Sequence, residues 1–211
     1  MNVHTQHFTI GGSAGVLECA LDVPQSVPET APRGIALVAH PHPLFGGTMD
    51  NKVVHTLARA FVALGYASFR MNFRGVGNSA GAHDEGRGET DDMAALLAHA
   101  QQQFPGLPCA LGGFSFGTLV QAQLQQRLST QGTPAERLVL VGCAAGKWPV
   151  PSVPTDTIVI HGELDDTIPL IQVFDWARPQ DLPVIVIPGA DHFFHRRLQH
   201  IKNLVVEMWR R

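Results

Sequence analysis

The chain reads as an α/β fold, a central sheet of mainly parallel strands covered on both faces by helices, in one domain spanning residues 1–211. Three observations predict it. Short apolar runs alternate with amphipathic helical stretches almost to the end. The run Ile35–Ala39 is apolar at every position, as expected when both faces of a strand are covered. A third run, from Cys109 to Gly112, leads straight into Gly113-Phe114-Ser115-Phe116-Gly117 and then into a helical pattern.

Taken in order, Phe8–Ile10 and Val16–Leu21 are expected as antiparallel edge strands, and Ile35–Ala39 as the first buried strand. Asp50 is placed to cap a helix whose Val53, Val54, Leu57, Ala58, Phe61 and Leu64 share a face, with Gly65 as its stop. A strand Ala67–Phe73 follows, then a polar, glycine-rich loop from Arg74 to Gly88. Met93, Leu96, Leu97 and Ala100 mark a helix ending near Phe104-Pro105-Gly106. Leu119, Val120, Leu124 and Leu128 mark the helix behind Ser115. Strands Leu138–Val141 and Thr157–His161 come next, then a helix opening at Pro169 as a first-turn proline. Strand Val184–Ile187 and a helix on Leu198, Ile201, Leu204, Val205 and Met208 complete the chain.

Composition narrows the function classes. With 211 residues, 45% of them hydrophobic and 16% charged, the chain can bury a substantial core. A net charge of −3 gives no electrostatic reason to expect nucleic acid or an anionic membrane as partner. No apolar run reaches the 18 residues of a membrane span, and Met1–Ile10 lacks the basic and apolar regions of a signal peptide. Cys19, Cys109 and Cys143 fall in strand-like segments, an odd count that fits buried thiols in a reducing cytoplasm.

The pattern G-x-S-x-G occurs twice, and context separates the two copies. Ser79, in Gly77-Asn78-Ser79-Ala80-Gly81, lies in the polar loop with no helix directly behind it and is expected as a turn residue on the surface. Ser115 sits between an apolar strand and a helix, where a sharp turn thrusts a hydroxyl out above a sheet. Gly113 and Gly117 give that turn its steric room, and the backbone N–H of Phe116 faces any oxyanion formed there.

A serine hydroxyl needs a base to take its proton, and the base needs a third group to fix its tautomer. Open α/β sheets place such groups in loops at the carboxyl ends of strands. Thr157–His161 runs into Gly162-Glu163-Leu164-Asp165-Asp166, and Val184–Ile187 into Pro188-Gly189-Ala190-Asp191-His192. We therefore read Ser115 as nucleophile, His192 as general base and then acid, and Asp165 as the group that orients it. Asp191, adjacent to His192, is expected to fix its loop as a hydrogen-bond acceptor.

These segments resemble a known family, the small bacterial serine α/β-hydrolases related to dienelactone hydrolases and carboxylesterases, in the branch carrying His-Pro-His-Pro. The matching residues are His40–Lys52 (HPHPLFGGTMDNK), Phe73–Ser79 (FRGVGNS), Gly113–Gly117, His161–Asp165 (HGELD) and Gly189–Phe194 (GADHFF). The resemblance implies the α/β-hydrolase fold, the Ser-Asp-His triad and hydrolysis of carboxylic esters or thioesters. Its spacing after His161-Gly162 favours Asp165 over Asp166. Serine stands where dienelactone hydrolase has cysteine, so that enzyme's substrate is not transferred. For the second oxyanion donor, prolines 41 and 43 have no N–H, which leaves His42 or Leu44. The resemblance favours His42.

Only Gly142–Asp156 joins the strands between which lidded relatives carry a cap, so an open site without a cap domain is expected, with Leu44 and Trp148 against the substrate. His40-x-His42 and His192-x-x-His195 have no Glu or Cys at a usual ligand spacing, so neither metal nor cofactor is expected. The expected enzyme is cytoplasmic, monomeric or homodimeric, and acts on a small ester. Peptidase or acyl-transfer chemistry on the same triad, and a non-catalytic binding protein of the same fold, are the alternatives.

Overall fold

A computed structural model describes residues 5–25 and 31–209. Residues 1–4, part of the segment read for a signal peptide, lie outside the described residues. The described strands are β1 (Gln6–Gly12), β2 (Gly15–Asp22), β3 (Gly34–Ala39), β4 (Tyr66–Met71), β5 (Cys109–Phe114), β6 (Arg137–Val141), β7 (Ile158–Gly162) and β8 (Val184–Ile187). They form one sheet in the order β1-β2-β4-β3-β5-β6-β7-β8. β1 and β2 pair antiparallel, as β2 does with β4; every other pairing is parallel.

Among the described residues five α-helices cover the sheet: α1 (Lys52–Ala63), α2 (Arg87–Gln103), α3 (Phe116–Thr130), α4 (Leu170–Ala177) and α5 (Leu198–Trp209). On one face Val53, Leu57 and Phe61 of α1 pack with Ile201 and Val205 of α5. On the other, Met93 and Leu96 of α2, Leu119 and Leu124 of α3 and Val173 of α4 share a second core with alternate residues of the strands. This is the three-layer arrangement the alternating pattern predicts. It explains why β3 and β4 are buried at all six positions and read as continuous runs.

Several expected strand ends shift by a residue or two, most of all the strand expected at Ala67–Phe73, which runs Tyr66–Met71, and two expected helix caps shift by one. Asn51, not Asp50, caps α1: its side chain accepts from the Val53 N–H at 2.8 Å. Asp50 instead turns toward His55 and the buried Arg70. Pro169 caps α4 with an extended ψ of 134° and so stands just outside the first turn. Between β6 and β7 the chain forms no helix; Val150 is buried, and Trp176 of α4 donates its indole N–H to the Val150 carbonyl at 3.1 Å. No helix among the described residues is long and apolar enough to cross a membrane.

β3 sets the geometry of the site. The chain runs from β3 to β4 on one side, then returns to β5 on the other. The loops leaving β3 and β5 thus diverge at their carboxyl ends and open a crevice between them.

Candidate active site

Ser115 ends β5 and begins α3, with φ 54° and ψ −123°, a region that non-glycine residues rarely occupy. The strain is sustained by close packing. A Cβ on Gly113 would strike the Gly117 carbonyl, and a Cβ on Gly117 would strike the Ala39 carbonyl of β3. The Ser115 N–H is tied to the Val141 carbonyl of β6 at 3.0 Å. Only glycine at both flanking positions lets this turn lie so close to the sheet.

The loops after β7 and β8 bring two more groups to the Ser115 hydroxyl. His192 Nε2 lies 2.9 Å from Ser115 Oγ, and His192 Nδ1 lies 2.7 Å from Asp165 Oδ2. All three residues are buried. The other oxygen of Asp165 accepts from the backbone N–H groups of Thr167 (3.0 Å) and Ile168 (2.7 Å). Phe114 packs against the imidazole of His192, with ring centroids 5.1 Å apart. The imidazole is therefore held in one orientation, with Nδ1–H donating to the carboxylate and Nε2 left to accept from the serine.

The segment after β3 forms the opposite wall. His40 is fully buried: Nδ1–H donates to the Pro41 carbonyl at 2.6 Å, and Nε2 accepts from the Phe73 N–H at 2.9 Å. Burial drives its pKa down to about 3, so the ring is neutral and pins this loop to the end of β4. Neither of its nitrogens is left for an ion. Leu44 N–H is turned to His42 Nδ1 at 3.2 Å, whereas no bond engages His42 N–H among the described residues. As the first residue of α3, Phe116 has no intrahelical partner for its N–H. Among the described hydrogen bonds, these two N–H groups, one at the start of each of the two diverging loops, are left without a partner.

A cleft of about 310 Å³ lies over the serine, lined by Phe45, Asn51, Lys147, Trp148, Thr167 and Phe193 together with His42, Ser115 and His192. Phe45, Trp148 and Phe193 give the walls their aromatic surface, and the residues lining them include no carboxylate.

The geometry can be set beside known proteins. The family model described as serine aminopeptidase, S33, matches residues 31–186. The chain belongs to this hydrolase family. It is similar along its whole length to an α/β serine hydrolase without lid from Xanthomonas campestris (33% identity, 100% of this chain and 95% of that one, TM-score 0.90). An α/β serine hydrolase homologue from Coxiella burnetii is 34% identical over 96% of each chain, with a TM-score of 0.82. An uncharacterized protein of Rickettsia prowazekii is 33% identical over 190 residues, 81% of this chain and 76% of that protein. The fold is thus the α/β-hydrolase fold without a lid.

Within this hydrolase, two expected positions need revision, Leu44 and Ser79. Leu44 is 71% exposed and does not line the cleft; Phe45 takes that place, because the short 3₁₀ turn Pro43–Phe45 rotates successive side chains apart. Ser79 is not a surface turn residue. It is buried, donates to the Asn72 carbonyl at 2.7 Å and accepts from the Glu18 N–H at 2.9 Å, stitching its loop to β2. Asp166 is exposed and accepts from the Thr167 hydroxyl at 3.4 Å, while Asp191, as expected, accepts from the His195 N–H and ring. Cys19 and Cys143 are buried; Cys109 is partly exposed, and burial pushes all three thiols up to about 12.

Two further histidines bear on the site, His161, which the sequence offered only as the start of a matching segment, and His83, which carried no signal there. His161, at the end of β7, directs Nε2–H to the Ile168 carbonyl at 2.8 Å, with Asp165 Oδ2 at 3.3 Å. Burial lowers its pKa, so it acts as a neutral donor beneath the aspartate. His83 packs against His42 and Phe116 from a loop without periodicity. Among the described residues, no group of three or more His, Cys, Asp or Glu side chains is placed to hold a metal ion.

Proposed function

We propose that this hydrolase cleaves carboxylic esters, including thioesters, through an acyl-enzyme on Ser115. The observation that carries the reading is the unbroken chain Ser115 Oγ–His192 Nε2 (2.9 Å) and His192 Nδ1–Asp165 Oδ2 (2.7 Å) beneath an open cleft. His192 takes the serine proton as Oγ bonds to the acyl carbon. The carbonyl oxygen becomes an anion facing the N–H groups of Phe116 and His42. His192 then returns the proton to the departing alcohol or thiol. Water repeats the sequence on the acyl-enzyme, with His192 as base, and releases the acid and Ser115. Each oxyanion donor contributes about 3–4 kcal/mol of barrier lowering, and the base about 10²–10⁴-fold in rate.

The cleft favours esters over amino-terminal peptides. An aminopeptidase must hold the substrate's ammonium group, and a carboxylate in the wall is the usual partner. The residues lining this cleft offer Lys147 and no carboxylate, which repels an ammonium ion. With no lid to wrap a long chain, the cleft suits short acyl groups, with Trp148 and Phe45 against them. The test is a rate comparison on p-nitrophenyl acetate, butyrate and palmitate, acetyl-thiocholine and leucine p-nitroanilide, with Ser115→Ala alongside. Serine-dependent turnover is expected on the short ester and thioester substrates. Faster turnover of the anilide would replace the esterase reading with a peptidase.

A further inference from the structure

We infer that His83, clamped by Glu89, is a positioning residue that sets the spacing of the two backbone donors of the oxyanion hole. The inference rests on the acyl-enzyme reading above and extends it to a residue outside the triad.

Glu89 lies in the first turn of α2 and is fully buried. Its carboxylate gathers three donors: the Asp84 N–H (2.9 Å) and His83 Nδ1–H (2.8 Å) on one oxygen, and the Gly86 N–H (2.9 Å) on the other. A carboxylate has no proton to give, so His83 carries its proton on Nδ1. Its Nε2 is buried with no hydrogen-bond partner among the described residues, the exposed Glu85 carboxylate standing 3.9 Å away, and only 7% of the side chain is exposed. The loop that carries this histidine is anchored at its start, where Arg74 grips Asp92 through two bonds of 2.7 and 2.8 Å. His83 is therefore a rigid projection held at both ends of its loop.

The projection meets the two residues that matter to an oxyanion. The His83 ring centroid is 4.7 Å from that of His42 and 5.2 Å from that of Phe116. These two rings, 4.8 Å apart, complete a triangle. Phe116 N–H is fixed by α3, but His42 lies on a loop. Its carbonyl is held by the N–H groups of Phe45 (3.2 Å) and Gly47 (3.0 Å), which leaves rotation about its own N–Cα bond to be restrained through the side chain. The imidazole takes the Leu44 N–H on Nδ1 (3.2 Å) and packs on Phe45 (4.8 Å) and Trp148 (5.4 Å), and His83 adds the rigid contact that wedges it toward Phe116. Without it, the His42 loop closes on or drifts from α3, and a misplacement of about 1 Å costs on the order of 10²-fold in rate.

A packing role alone would alter stability or KM. A positioning role alters the stabilisation of the oxyanion, which is read by two probes. The rate of phosphonylation by a fluorophosphonate depends on the hole and needs no knowledge of the natural ester. The ratio of oxoester to thionoester hydrolysis falls when the hole is damaged, because sulfur gains little from N–H donors shaped for oxygen.

His83→Ala, compared with wild type, is expected to lower kcat and the phosphonylation rate about 10–100-fold. KM should stay within about threefold and the oxoester/thionoester ratio should drop about tenfold, since only stabilisation of the oxyanion is lost. His83→Phe keeps a flat ring without the Glu89 bond and should recover part of each loss. It is also the variant that is read if His83→Ala does not fold. Wild-type rates and ratio in a folded variant, with wild type labelled and Ser115→Ala unlabelled, would overturn this inference and leave the hydrolase reading standing. Absence of labelling in wild type itself would overturn both.

Discussion

The two G-x-S-x-G segments share a pattern and invert its physics. In Gly113–Gly117 the serine carries the left-handed backbone, φ 54°, and the glycines serve only to leave room against Ala39 and each other. In Gly77–Gly81 the glycines carry it, φ 56° and 86°, and Ser79 keeps an ordinary conformation. The consequence reaches the hydroxyls. Ser115 presents Oγ to a histidine under an open cleft, whereas Ser79 spends both its donor and its acceptor on backbone groups. A serine becomes a candidate nucleophile here through strain concentrated on its own residue, sustained by a strand before it and a helix behind it.

The sharpest way to break this contrast is exchange of each serine. Ser115→Ala should reduce ester turnover on the order of 10⁶-fold, to the residue left by the oxyanion hole and binding. Ser79→Ala should leave kcat unchanged, a result read from the same assay. Next in size, Asp165→Asn keeps the shape but offers His192 an amide in place of a carboxylate, and should cost about 10⁴-fold in kcat. A loss under tenfold would mean that His192 is oriented by its packing on Phe114 alone.

Smaller effects lie in stability. Ser79→Ala strands the Asn72 carbonyl and the Glu18 N–H, and should lower unfolding stability by about 1–3 kcal/mol in urea denaturation. A pH-dependent effect concerns His40, whose pKa falls from 6.5 to about 3, chiefly by burial, with the charge of His42 acting the same way and the Pro41 carbonyl opposing. Between those values the unfolded chain binds a proton that the folded protein does not. Stability contributed by His40 is therefore full above pH 6.5 and falls as pH drops toward 3, by up to about 1.4 kcal/mol per pH unit. His40→Gln should start less stable at pH 7 but lose less between pH 6.5 and 5; an unchanged slope would refute the assignment.

Much of this arrangement was legible because it is local or periodic. Val184–Ile187 appears as predicted, since four apolar residues between prolines admit few alternatives. The elbow was readable because its glycines and the helix behind it are contiguous in sequence. The positions of Asp165 and His192 followed from a rule about strand ends, and their loops do converge on Ser115. What stayed hidden depends on three-dimensional detail. Asp50 and Asn51 are both good caps, and only the turn Thr48–Asn51 decides between them. Leu44 and Phe45 are adjacent and apolar, so the rotation of one 3₁₀ turn selects which faces the cleft. His83 acts on the site through buried contacts with residues distant in sequence, and no spacing in the chain records it; the spacing that includes His161 pointed to Asp165 but not to the bond His161 makes beneath it.

The central claim, that the strained serine and not its twin is the nucleophile, is tested most directly by covalent trapping. The protein would be treated with a fluorophosphonate and the adduct located by peptide mass spectrometry, with Ser115→Ala and Ser79→Ala in parallel. A single adduct on Ser115, retained in Ser79→Ala and lost in Ser115→Ala, is the predicted result. An adduct on Ser79, or none on any serine, would contradict it.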